Sequence, residues 1–229
     1  MQRIYPHNLE FSSTSSFADR SASNVKGFSL IELIVVVAVI TIMSAIAIPY
    51  IYSYKSVYKS EEQARKIMDL MREAGQLALN QRRTFRLEVD ISDNAVHIID
   101  ENGDAQDTVL KSIPIEPTGV LRMDVTPGGV TRPNPPNFAN ANFAVDTTGH
   151  YVGSNLIIGH TVWGLRFRSD GSVVNTGNIP VSSTLFIFPP TSASSDTATD
   201  KRQIRAVTLY GGSGAVRYWK YNGTVFSAG

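Results

Sequence analysis

The sequence predicts an α+β fold: a long N-terminal α-helix packed on an antiparallel β-sheet head. Three observations predict it. An uninterrupted apolar run fills positions 28–48, helical amphipathicity continues to about Asn80, and beyond Asn80 the periodicity changes to two. The expected organisation is residues 1–27 as a leader peptide, 28–80 as the long helix with its membrane part at about 28–48, and 81–229 as a β-rich head.

The apolar run, FSLIELIVVVAVITIMSAIAI, holds 21 residues from Phe28 to Ile48. As a helix it would be about 30 Å long, enough to cross a bilayer. Glu32 is its single charged residue. Valine and isoleucine are mediocre helix formers in water, but in lipid the backbone must satisfy itself, and a helix does so. Pro49 would loosen the helix just after the run. Tyr50, Tyr52 and Tyr54 follow, where aromatic side chains suit a membrane interface. From Ser60 onward Ala64, Ile67, Met68, Met71, Ala74 and Ala78 share one face, which should pack on a sheet. Glu61–Arg65 and Glu62–Lys66 are i,i+4 pairs in the favourable order. A helix over 28–80 would span about 80 Å, which suits a filament subunit better than a compact domain.

After Asn80, Phe85, Leu87 and Val89 alternate with Arg86 and Glu88. Further strands are expected at 95–99, 108–111, 120–125, 161–168, 184–188, 203–210, 215–221 and 224–226. Asp100-Glu101-Asn102-Gly103-Asp104, Ser169-Asp170-Gly171, Gly212-Ser213-Gly214 and Asn222-Gly223 read as turns. Residues 126–142 (TPGGVTRPNPPNFANAN) and 189–200 (PPTSASSDTATD) read as loops.

Composition excludes several function classes. Lys+Arg is 21 and Asp+Glu is 20 in 229 residues, a net charge of +1, so the chain is neither histone-like nor an acidic tail. The absence of cysteine removes disulfides, cysteine-ligated metals and thiol catalysis. His7, His97, His150 and His160 lack zinc-ligand spacing along the chain, and no catalytic constellation stands out. We therefore expect no enzyme activity, no cofactor and no metal.

Three readings of the apolar run compete: a plain membrane anchor, a secretory signal cut after Ala45-Ile46-Ala47, and a processed anchor. The run is long for a signal peptide and carries a carboxylate. Its front edge, Lys26-Gly27-Phe28-Ser29-Leu30-Ile31-Glu32, resembles the class III signal of type IV pilins and type II secretion pseudopilins. That resemblance implies a prepilin peptidase that cuts between Gly27 and Phe28, N-methylation of Phe28, and a Glu at the fifth mature position, here Glu32. It further implies a single-pass inner-membrane protein with a periplasmic head, whose partners are the peptidase and other pilins or pseudopilins of a filament. Glu32 would neutralise its own N-terminus or pair with the Phe28 amine of a neighbouring subunit. At 27 residues the leader is longer than many of that family.

The head pattern, Leu165-Arg166-Phe167-Arg168-Ser169-Asp170-Gly171 with Arg205-Ala206-Val207-Thr208-Leu209 and Gly214-Ala215-Val216-Arg217, resembles the GspH/FimT group of minor pseudopilins and minor pilins. This leaves two functions open: a minor pseudopilin supporting type II secretion, or a type IV pilus minor pilin involved in assembly or DNA uptake. From Lys201 to the C-terminus every charge is basic, with Tyr218, Trp219 and Tyr221 interleaved, a composition able to hold nucleic acid. Arg205, Arg217 and Lys220 are the candidate DNA contacts. The Gly-Arg-x-Arg motif of DNA-binding FimT proteins is Gly214-Ala215-Val216-Arg217 here, without its first arginine.

Overall fold

The computed structural model describes residues 27–101 and 106–229, and for 49–57 the backbone alone. Residues 1–26 with His7, the side chains of Tyr50, Tyr52 and Tyr54, and Asn102, Gly103 and Asp104 of the expected turn lie outside the described residues. The chain divides into two compact units at Ala47/Ile48.

Helix α1 is assigned to Leu30–Gln81. In the first unit every side chain from Phe28 to Ala47 is exposed. The apolar stretch Leu30–Ile48 is long and apolar enough to cross a membrane.

In the second unit the expected helical face is buried: Ala64, Ile67, Met68, Met71, Ala74 and Ala78 all lie in the core, joined by Leu70. Arg65 reaches Glu61 at 3.0 Å and Lys66 reaches Glu62 at 3.7 Å, on the solvent side. The small Ala64, Ala74 and Ala78 let the helix backbone approach the strands closely, while Ile67 and Met71 fill the space between.

The strands are β1 (Phe85–Asp90), β2 (Ala95–Asp100), β3 (Thr108–Pro114), β4 (Ala139–Asn140), β5 (Ala144–Val145), β6 (His150–Val152), β7 (Asn155–Ile157), β8 (Thr161–Phe167), β9 (Val173–Val174), β10 (Ser183–Ile187), β11 (Arg205–Tyr210), β12 (Ala215–Tyr221) and β13 (Phe226–Ala228). One sheet runs β5-β8-β1-β2-β3-β6-β7, with β9 on β8; the other runs β13-β12-β11-β10-β4. Pairings are antiparallel except β3–β6 and β4–β10, so both sheets are mixed rather than purely antiparallel. The main core joins the helix face to Phe85, Leu87, Val89 and Phe167 of the first sheet and to Leu185, Val207, Leu209 and Tyr218 of the second. A second cluster on the far side of the second sheet holds Phe186, Phe188, Trp219 and Tyr221.

Three expected strands change. Residues 120–125 form no strand; only Arg122 pairs, with Phe188, and its guanidinium grips Asp124 at 2.6 Å. Leu121 and Met123 nevertheless point into the core. The last strand starts at Phe226 rather than Thr224, because the Asn222 side chain accepts the amides of Thr224 and Val225 and holds them in a turn. Gln203 belongs to a 3-10 turn, Lys201–Gln203, capped by the Asp200 carboxylate, and β11 begins only at Arg205. The expected turns at 169–171, 212–214 and 222–223 each join two strands.

Candidate functional site

The processing motif is built from the start of α1. Ser29 precedes the first helical residue, and its Oγ accepts the Glu32 backbone N–H at 3.2 Å. Its own carbonyl accepts the first helical bond, from Leu33. Ser29 is thus the N-cap and Glu32 stands three residues on, the spacing of a capping box, but among the described residues the bond between them is the Glu32 amide to the Ser29 hydroxyl alone. The cap fixes where the helix begins, two residues beyond Phe28. Phe28 is 80% exposed, and a Cβ added to Gly27 would meet nothing within 4 Å. Among the described residues the Gly27–Phe28 bond is therefore accessible, and no packing contact there demands glycine. Glu32 is exposed in the first turn, where the helix dipole favours a negative charge.

The three basic candidates of the head do not share a surface. Arg205 and Lys220 are register partners on one face of the second sheet. Both turn to Glu61 on α1, at 3.7 and 3.1 Å. Arg205 is buried, and its Nη1 donates to the carbonyls of Arg202 and Ile204. Burial acts to raise the Glu61 pKa, but hydrogen bonds from Lys220 and Arg65 outweigh it and hold the carboxyl below its ordinary value. Tyr218 lies between these groups, and burial pushes its hydroxyl up to about 12. Arg217 alone projects from the opposite face, its guanidinium 5.4 Å over the Trp219 ring. It borders a hollow of about 320 Å³ with Phe138, Tyr210 and Trp219.

The most concentrated polar chemistry lies elsewhere, on the outer face of β1. Arg86, Glu88 and Asp90 read as outward positions, yet all three are fully buried. Residues 146–160, which contain β6 and β7, cover them. The Arg86 guanidinium meets Glu88 at 2.7 Å, Glu101 and Asp107 at 3.1 Å, and the Gly149 carbonyl at 2.7 Å. His150 Nδ1 lies 3.0 Å from Glu88, and His160 Nδ1 lies 2.6 Å from Asp90. His97, the cross-strand partner of Glu88, stacks its ring 5.0 Å from that of His150. Burial, and then the neighbouring His150, depress the His97 pKa. Burial raises the Glu101 pKa despite the hydrogen bond from Arg166. Period-two alternation places Arg86, Glu88 and Asp90 on one face, but a cover supplied from sixty residues away leaves no local signal.

Comparison with known proteins bears on the N-terminus first. Residues 22–48 match the family model described as the prokaryotic N-terminal methylation motif. No curated protein sequence matches the chain. Among solved structures, the chain is similar to the minor pseudopilin EpsH from the type 2 secretion system of Vibrio cholerae. Identity is 13% and the TM-score is 0.41, over 70% of this chain and 94% of that one. Residues 22–48 thus carry an N-terminal methylation motif that runs into the exposed apolar stretch, and an α+β head follows in sequence.

Proposed function

We propose that the chain is a minor pseudopilin of a type II secretion system. A prepilin peptidase would cut after Gly27, and Phe28 would be N-methylated. Residues 28–48 would hold the protein in the inner membrane as a single pass with the head in the periplasm, and the same segment would pack in the core of a pseudopilus that supports secretion. The observation that carries this reading is the methylation motif joined to an apolar stretch whose side chains are exposed among the described residues and which holds one carboxylate, Glu32. A charge inside a bilayer costs about 2.5–3.5 kcal/mol, so Glu32 in that position calls for a partner. The Phe28 amine of an adjacent subunit would supply one, which makes Glu32 the assembly contact.

The test is co-purification. Full-length protein and Glu32→Ala are expressed with the major subunit of the filament, and the filament is sheared and analysed. Normal processing with reduced incorporation supports the reading, and equal incorporation contradicts it. Association with a secretion pseudopilus rather than a type IV pilus separates the two filament classes. The DNA-uptake alternative rests on Arg205, Arg217 and Lys220. Two of these are engaged with Glu61, so the secretion reading is the better supported.

A further inference from the structure

We propose that Glu88, Asp146 and His150 form a binding site for one divalent transition-metal ion of the zinc type, seated between β1 and the 146–160 segment. One ligand atom from each of the three residues lies within 4.8 Å of the others, and all three residues are buried. A tetrahedral zinc site places neighbouring ligand atoms about 3.3 Å apart, so an inward shift of roughly 1 Å closes this set around an ion. One imidazole nitrogen with two carboxylate oxygens is a donor set that suits zinc better than calcium or magnesium.

A second observation points to an ion rather than to a plain ion pair. Glu88 Oε2 and His150 Nδ1 are 3.0 Å apart. Even so, among the described residues neither Glu88 oxygen nor His150 Nδ1 makes an aligned hydrogen bond, although both side chains are at least 97% buried. By contrast, the contact between His160 and Asp90 is a formed hydrogen bond. Buried polar atoms this close are normally bonded, so lone pairs left unaligned beside a second carboxylate, Asp146, mark a place for a cation. The surroundings orient the donors as an outer shell does. Asp146 accepts the amides of Thr148 and Gly149 at 2.9 and 2.8 Å, which fixes its carboxylate. Arg86 lies on Oε1 of Glu88 and leaves Oε2 facing His150. His97, whose ring nitrogens lack a hydrogen-bond partner among the described residues, lies beside His150 with the ring centroids 5.0 Å apart. The bound ion would pin the 146–160 cover to the first sheet.

The experiment uses untagged full-length protein in detergent, stripped with a chelator and dialysed against zinc chloride, with retained metal counted by mass spectrometry. One zinc per chain, a higher Tm with zinc than without, and no displacement by equimolar calcium are expected. His150→Gln and Asp146→Asn should each weaken zinc binding roughly tenfold or more, while His160→Gln leaves it unchanged. Near-UV circular dichroism confirms that each variant is folded, and the two substitutions decide the matter even if Glu88→Gln unfolds. No retained zinc in the wild type, retention undiminished in both His150→Gln and Asp146→Asn, or displacement by calcium would overturn the proposal.

Discussion

Among the described residues glycine at position 27 has no packing duty, since an added Cβ meets nothing within 4 Å. Its role under the proposed function is to fit the peptidase. Gly27→Leu should therefore abolish processing, read as an unshifted precursor band, while leaving the urea midpoint of the head unchanged. A shifted midpoint would mean that Gly27 matters to folding. Ser29 and Glu32 carry a local duty and a proposed remote one, and these can be told apart. The Ser29 hydroxyl caps α1, so Ser29→Ala should cost about 1 kcal/mol of local helix stability, visible as faster amide exchange over the first turn. Glu32→Ala should leave that exchange nearly unchanged and lower filament incorporation instead. Equal losses of incorporation in both variants would reduce Glu32 to a capping residue.

At the scale of elements, what was legible in the sequence followed from how far each pattern runs. The helix face from Ala64 to Ala78 repeats over four turns and is buried as read. Ile67→Ala should accordingly cost about 2–5 kcal/mol in head stability, measured by urea unfolding. Strands of six or seven residues were also legible, because alternation needs several repeats to show. Strands β4, β5, β6, β7 and β9 have two or three residues each, too few to display a period. The residues around Glu88 stayed hidden for a related reason. Glu88 follows a polar–apolar alternation that normally marks a wet face, and its cover arrives from residues 146–160, which are rich in turn formers and exposed at many positions. Histidine spacing along the chain likewise says nothing about His97 and His150, which meet only because β2 pairs with β1 and the later segment folds over both. Gly149 secures that fold. It has φ +71°, and a Cβ would lie 2.6 Å from the Ile157 carbonyl oxygen. Gly149→Ala should loosen the cover and raise amide exchange across β6 and β7 while the helix face stays protected.

For the molecule as a whole, charge and apolar surface are unevenly distributed, and the near-neutral average conceals it. The apolar surface without cover is concentrated in residues 28–48, whereas the head buries its own core. The basic C-terminal stretch contributes to the head's stability, since Arg205 and Lys220 close on Glu61 beside the helix. The Glu61 pKa is lowered in the folded head, so its stabilisation is complete above the ordinary carboxylate value of 4.5 and is lost as pH falls through the lower folded value. Glu61→Gln should reduce stability near neutral pH by about 1 kcal/mol or less, given solvent screening, and flatten the acid limb of the urea-midpoint profile. An unchanged acid limb would remove Glu61 from that role. Mass spectrometry of the mature N-terminus decides whether the proposed processing and methylation occur. A chain beginning at N-methylated Phe28 is expected. A chain beginning after Ala47, or one retaining its leader in the presence of active prepilin peptidase, would contradict the proposed processing.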